Sequence, residues 1–390
     1  MFKDKYKLIG VVLATALVSS AATAAGLMTL IGANQQTVLD LARFASLKNY
    51  ISTQYVEPVD DKVLIEGALA GMVNALGDKH SVYLDAKRFE DLKNHTDAAF
   101  GGIGVVMGYR EGTVVILSVM EGTPGETAGL LPEDEIVSVE GSPAAELTFE
   151  EVALKIRGEV GTDVTLTVRR YEDKAAGKYT DKEIKITRDL IHVKTAQGQM
   201  LEDGIGYLRI SSFGSSTDKE FKEALAQLKG ENMKGLILDL RLNHGGLLTT
   251  CVEISKEIVP KGPIVSIVYR DGSKEEFTSQ LEKAELPMVV LIDGDSASAS
   301  EILAGALQDT GAATIVGVTS YGKGSVQSIR QLPGTKDGLK LTVAKYFTPK
   351  GRSINGVGIT PDIVEDRGKN EQLDKAIEVL KSKISAVSPK

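Results

Sequence analysis

Cysteine is nearly absent: Cys251 is the one in the chain, so neither an internal disulfide nor a cysteine-based zinc site can form. Tryptophan is missing and other aromatics are sparse, at 5% of residues. The four histidines, His80, His95, His192 and His244, are scattered, with no HExxH and no metal-ligand spacing. No basic block occurs and the net charge is −8, which argues against nucleic acid as the main partner. Low-complexity linkers and internal repeats are also lacking. What remains, 42% hydrophobic and 25% charged residues over 390 positions, is an ordinary globular composition long enough for two or three domains.

One long apolar run breaks that composition. Lys3, Lys5 and Lys7 precede Leu8 to Gly32, about 25 residues, enough to span a bilayer of roughly 30 Å as a helix. "ATA" at Ala22 to Ala24 offers a small-residue cleavage site. An uncleaved membrane anchor and a cleaved export signal both fit, and either puts the rest of the chain outside the cytoplasmic membrane. From 36 to 95 the apolar positions follow helical spacing through Leu39, Phe44, Leu47 and Ile51, then through "LIEGALAGMVNAL". From Phe100 to about Asp189 short β-branched strands take over, with a hairpin turn at "REG" and a helix after Thr148, a plausible N-cap. From Gly204 onward strands and helices alternate: "GIGYLRI", "GLILDLR" and "MVVLIDG" with helices between. That pattern implies an α/β layer fold with a mostly parallel sheet. "EQLDKAIEVLKSKIS" closes the chain as an amphipathic helix.

"SASASEILAGALQD", 296 to 309, follows the buried strand "MVVLIDG" and opens a helix. Serine is a favoured N-cap, and Glu301 nearby suggests a capping box. The same place also suits a nucleophile, because unpaired N–H groups at a helix start favour a developing oxyanion. Both readings stand on this stretch alone. No histidine lies near to serve as base. Lys323, in "YGKGSVQ", sits between Gly322 and Gly324, an odd backbone for a solvated charge. A turn lysine or an anion clamp would be the plain readings. A desolvated lysine has a lowered pKa and can take a serine proton.

These motifs, with "TPKGRSINGVGITPD" and "YVEPVDDKVLIEGALAGMVNALGDKHSVYL", resemble the carboxyl-terminal processing proteases, the S41 peptidases with an embedded PDZ domain, from about residue 40 to 365. The resemblance implies an α/β, crotonase/ClpP-like layered protease core with an inserted PDZ domain and a helical N-terminal region. The expected division is a signal or anchor at 1–34, N-terminal helices at 35–95, a PDZ domain at 96–190, the peptidase core at 191–366 and a C-terminal helix and tail at 367–390. The resemblance also assigns roles. Ser298 would be the nucleophile, Lys323 the base, and Gln327 the residue that hydrogen-bonds and orients the amine. The oxyanion hole would be the N–H groups of Ala299 and Gly246, with Gly245 as the alternative. "DLRLNHGG" departs from the usual DLRGNPGG: Leu242 and His244 replace Gly and Pro, which implies a less rigid loop with His244 facing the site. Asp309 reads as structural, through a salt bridge or a helix end.

"AFGGIGVVM" resembles the carboxylate-binding loop of PDZ domains, with Gly102, Ile103, Gly104 and Val105 receiving a peptide's C-terminus and the peptide adding as a strand. Glu133 stands where Gly is usual, a change of little consequence if that turn has α-region angles. Arg157 is either a surface cation or a contact linking the PDZ domain to the protease body. The implied activity is a serine endopeptidase of the cell envelope, free of metal and organic cofactor, more active at alkaline pH. Its substrates would be proteins with unstructured C-termini. The N-terminal segment would meet the membrane. The apolar faces of the terminal helices suggest a homo-oligomer, and an adaptor protein and self-trimming of the tail "ISAVSPK" stay open. Two rivals remain, a non-catalytic membrane-anchored PDZ scaffold and an acyl-CoA-type lyase on the same layers.

Overall fold

The computed structural model describes residues 35–96, 99–110, 112–283 and 285–387, which form two compact units divided between Tyr83 and Leu84. The expected signal or anchor at 1–34, with its "ATA" site, lies outside the described residues, as does the tail end from 388. Among the described residues no helix is long and apolar enough to cross a membrane.

The first unit holds helices α1 (Gln35–Gln54) and α2 (Asp61–Asn74). Asp60 caps α2 by accepting from Lys62 N at 2.9 Å. Asp61 ties the pair together, accepting from Ser52 Oγ at 2.9 Å and pairing with Lys48. Leu39, Leu41, Leu47 and Tyr50 on α1 stay exposed.

The second unit has two apolar centres. The smaller lies under a sheet of β2 (Val105–Arg110), β3 (Thr113–Val119), β4 (Glu135–Val139), β5 (Asp163–Asp173) and β6 (Lys178–Thr187), in that spatial order and antiparallel throughout. Helix α3 (Ala86–Thr96) precedes this sheet in the chain, and helix α4 (Phe149–Ile156) covers it with Val152 and Ile156. Its start is a capping box: Glu151 N donates to Thr148 Oγ1 at 3.2 Å, and Thr148 N donates to Glu151 Oε2 at 2.7 Å. The chain enters and leaves this segment through one antiparallel ribbon, β1 (Ala99–Gly102) against β7 (Asp189–His192). Arg188, buried at the mouth of that ribbon, holds the end of α4. It donates to Ile156 O at 2.9 Å, Lys155 O at 2.8 Å, Asp163 O at 2.7 Å and Thr162 Oγ1 at 2.9 Å. The turn at Glu133 is not α-region: its φ is 69°, so the missing glycine leaves strain of about 1 kcal/mol at that residue.

The larger centre is built on a six-stranded sheet in the order β8 (Ala196–Met200), β9 (Ile205–Ile210), β10 (Gly235–Asp239), β13 (Met288–Ile292), β14 (Ala313–Gly317), β17 (Ile363–Val364). Only the β8–β9 pair is antiparallel, so the mostly parallel sheet expected from the alternation is present. Strand alternation sends Leu236, Leu238, Val290 and Ile292 to one face and Ile237, Val289 and Leu291 to the other. On the first face lie helices α5 (Thr217–Gly230), α6 (Leu248–Ile258) and α7 (Ala299–Asp309). On the second, Ala376 and Leu380 of α8 (Lys369–Val387) are fully buried. The expected spare apolar face on the C-terminal helix is therefore corrected: the sheet's own second face uses it. Two further hairpins, β11 (Gly262–Tyr269) with β12 (Lys274–Ser279) and β15 (Ser325–Gln331) with β16 (Gly338–Phe347), join through the β11–β16 pairing.

Replacing Arg188 with Met leaves the α4 carbonyls unpaired, and is expected to cost the 99–192 segment about 2–4 kcal/mol. Amide hydrogen exchange should rise across α4 and the β1–β7 ribbon and stay unchanged in β10 and β13.

Candidate active site

Three serines alternate at the end of β13, and the structure gives them different work. Ser296 Oγ donates to Leu240 O at 2.9 Å, and Ser300 Oγ donates to Asn243 O at 2.9 Å. Both are fully buried, and both tie the loop 240–246 to the turn. Ser298, between them, lines a cleft of about 340 Å³ together with His244, Gly245, Gly246, Ala299, Lys323 and Gln327. Its backbone takes φ 55° and ψ −111°, a strained setting for a residue with a side chain. A sharp strand-to-helix turn of this kind raises a serine out of its surroundings.

Lys323 reaches the same cleft from the loop between β14 and β15. The flanking glycines are required by close approach. A side chain at Gly324 would meet Asn355 N at 2.7 Å, and one at Gly322 would meet Val357 N at 3.0 Å, on a backbone with φ 89°. Gly356 N donates to Gly322 O at 2.8 Å, so "SINGVG" forms the bed on which the lysine loop lies.

Two buried side chains hold serine and lysine to each other. Glu301 Oε2 accepts from Ser298 N at 2.8 Å and Lys323 N at 2.9 Å; its Oε1 accepts from Ser320 Oγ at 2.6 Å and Gly322 N at 2.7 Å. The capping-box reading of Glu301 covered just the first of these bonds. Tyr346, on β16, donates its hydroxyl to Ser298 O at 3.1 Å and also meets Lys323 O. Burial raises the Tyr346 pKa, helped by the charge of Glu301, so the phenol keeps its proton. Burial lowers the Lys323 pKa; the positive charge of Lys340 adds to this and Glu301 opposes it.

The loop after β10 closes the other side. Arg241 and Asp239 form a buried bidentate pair at 2.9 and 2.7 Å, and Tyr207 OH donates to Asp239 at 2.6 Å. Leu242 takes φ 59°, the conformation a glycine would take, with its N–H on Asp293 Oδ1 at 3.0 Å. Asn243 Nδ2 donates to Ile210 O at 2.8 Å. The loop expected to be less rigid is thus tethered at successive residues. His244 does face the cleft, its Nδ1 3.3 Å from Asp295 O. Gly245 N donates to Asn243 Oδ1 at 2.9 Å, whereas the N–H groups of Gly246 and Ala299 have no protein acceptor among the described residues. Gly245 is needed for closeness instead, since a side chain there would meet Ser298 Cβ at 2.9 Å.

Two expected contacts differ. Gln327 donates to Ser325 Oγ at 2.9 Å and Thr342 Oγ1 at 3.3 Å, so its amide hydrogens go to hydroxyls and not to the amine. No hydrogen bond joins Ser298 Oγ to Lys323 Nζ among the described residues. Asp309 binds Arg352 at 2.5 Å and Lys350 N at 3.0 Å, holding the end of α7. In the smaller sheet, Ile103 is buried, so only its backbone is free to meet a ligand; Gly104 has φ 77° with Thr123 packed where a side chain would go. Gly102 closes β1 and Val105 opens β2 on either side of them. Arg157 is exposed and stacks on Phe100 of β1, its guanidinium carbon 4.4 Å from the ring centre. Sequence reasoning missed Tyr346, Asp239, Arg241 and Lys340. Tyr346 and Lys340 lie on a hairpin that was not recognised.

Residues 204–365 match the model of peptidase family S41, 115–170 a PDZ domain, and 13–88 the activating protease CtpB N-terminal domain. The chain is 40% identical over 340 residues to a carboxy-terminal-processing protease of Bartonella bacilliformis, covering 85% of this chain and 76% of that one. It is 36% identical over 368 residues to carboxy-terminal processing protease CtpA of Bacillus subtilis, covering 93% and 77%. A solved photosystem II D1 C-terminal processing protease aligns with TM-score 0.51 and 26% identity over 90% of this chain and 99% of the other.

Glu301→Gln would set an amide N–H against two backbone donors. It is expected to lower kcat by about tenfold or more and to lower Tm by several degrees. Steady-state cleavage assays and thermal unfolding check both.

Proposed function

The chain belongs to the carboxy-terminal processing proteases of peptidase family S41, serine-type hydrolases with a PDZ domain, and on that premise we propose that Ser298 and Lys323 are its catalytic dyad. What carries the reading is the division of labour among the serines: Ser296 and Ser300 spend their hydroxyls on the loop 240–246, while Ser298 lines the cleft beside Lys323. Lys323, its proton affinity lowered mainly by burial, takes the Ser298 Oγ proton as the oxygen attacks the scissile carbonyl. The N–H groups of Gly246 and Ala299 receive the resulting oxyanion. The Lys323 ammonium then passes the proton to the leaving amine, which departs with the downstream peptide. Water, deprotonated by the same amine, hydrolyses the Ser298 ester and regenerates the hydroxyl.

Reaction requires Lys323 Nζ to swing onto Ser298 Oγ, with the Gln327 amide oxygen reoriented to receive an amine hydrogen. Peptide capture supplies the trigger in this reading. A substrate's C-terminal carboxylate meets the N–H groups of Ile103 and Gly104, and the chain pairs with β2. Both ends of that segment enter the β1–β7 ribbon, where Arg157 lies on Phe100. The substrates we propose are cell-envelope proteins with unstructured C-termini, met by an enzyme exported or anchored through the basic and apolar segment before residue 33.

Ser298→Ala and Lys323→Ala should each lower kcat by about a thousandfold or more on an unfolded protein substrate. The unprotonated amine is the working form. The wild-type rate should therefore climb as pH rises through the Lys323 pKa, along a limb centred below the free-lysine range. A pH–rate profile checks this, and equal rates in wild type and Ser298→Ala would sink the dyad. Arg157→Ala should weaken activation by added tail peptides several-fold, read as the ratio of rates with and without peptide; an unchanged ratio rejects the route through Phe100.

A further inference from the structure

Lys340 has no part in the reaction above, yet its position is unusual for a lysine. It lies on β16 opposite Ile329 of β15. Strand alternation puts Lys340, Thr342, Ala344 and Tyr346 on one face, with Lys345 on the other. Thr342 receives the Gln327 amide and Tyr346 meets the carbonyls of Ser298 and Lys323, so this face is the wall of the site. Lys340 lines the cleft with Ser298, Lys323 and Gln327, half-buried. Among the described residues its side-chain amine has neither an ion pair nor a hydrogen bond, whereas Lys229, Lys375 and Lys381 each meet a carboxylate.

Other elements around Lys323 do not supply this charge. Helix α7 contributes Glu301, which favours the ammonium form of Lys323. Strand β16 contributes the protonated phenol of Tyr346, and β15 the neutral Ser325 and Gln327. The loop after β10 contributes His244, held on Asp295 O. Glu301 must stay to pin the two backbones, so its pull toward the ammonium needs an opposing charge. An amine beside a fixed cation in a partly desolvated site gives up its proton more readily.

We propose that Lys340 is a positioning residue for the peptidase reaction: its unpaired positive charge on the cleft wall offsets Glu301 and keeps the Lys323 amine available as a base. This rests on the Ser298–Lys323 reading. A lysine in this place that instead gripped a substrate carboxylate would act on KM alone.

Two measurements on the full chain test it. The first is competitive labelling of the Lys323 amine by an amine-reactive reagent across pH. It is read by mass spectrometry in the Ser298→Ala background, where no turnover occurs. The second is the pH profile of kcat/KM with Ser298 intact. Lys340→Met should move the labelling midpoint and the rising limb upward by about half a pH unit or more, and Lys340→Gln should do the same. Lys340→Arg should keep the wild-type midpoint. An unmoved midpoint in both neutral variants overturns the proposal, as does an effect confined to KM. Cleavage that survives Lys323→Ala would instead overturn the dyad reading, and the labelling midpoint distinguishes the two failures because it needs no catalysis.

Discussion

A single buried carboxyl group makes this site possible. Glu301 offers four acceptor positions and the fold fills them with Ser298 N, Lys323 N, Gly322 N and Ser320 Oγ. Two segments more than 20 positions apart thereby share one acceptor. The hydroxyl of Tyr346 acts from the opposite side, on the carbonyls of the same two residues. Holding both the N–H and the C=O of each residue leaves their backbones little freedom. The proposed chemistry between Ser298 and Lys323 is then left to their side chains, which line the same cleft.

Each surrounding feature serves that clamp. The strained φ and ψ of Ser298 persist because neighbours on both sides are tied down: Ser296 to Leu240 O and Ser300 to Asn243 O. The glycines around Lys323 let its loop lie against the 355–358 turn. The Asp239–Arg241 pair is buried and reaches α8, since Arg241 Nη1 donates to Lys369 O at 2.6 Å and Gln372 Oε1 at 3.1 Å. That link joins the loop beside Ser298 to the C-terminal helix. Breaking either partner of such a pair leaves a buried charge, which is costly in a way that its presence is not beneficial. The pair therefore acts to fix the loop.

The PDZ segment has its own apolar centre and reaches the peptidase layers through one ribbon. Arg188, next to β7, bonds to the carbonyls at the end of α4, and Arg157 stacks on Phe100 of the same ribbon. Val152 and Ile156 keep α4 on its sheet.

Sequence alone determined whatever depends on local periodicity and short-range caps. The runs "GLILD" and "MVVLI" are buried at every position because both faces of their sheet are covered, and their nearly continuous apolar residues, Asp239 excepted, made them legible as buried strands. The Thr148 cap and the placement of Ser298 at a helix start were equally local. Tertiary structure alone decided which serine is free, why Glu301 is buried, and what stands near the amine. Those depend on contacts such as Ser296 to Leu240 and Tyr346 to Lys323, between residues far apart in the chain. The β15–β16 hairpin went unread although "LKLTV" alternates apolar and polar residues, a strand signal the sequence did carry. With it went Tyr346 and Lys340. The left-handed backbone at Glu133 and Leu242 was hidden for a different reason: a residue's letter reports its preference, and the closure of the fold around it sets the angle it must adopt.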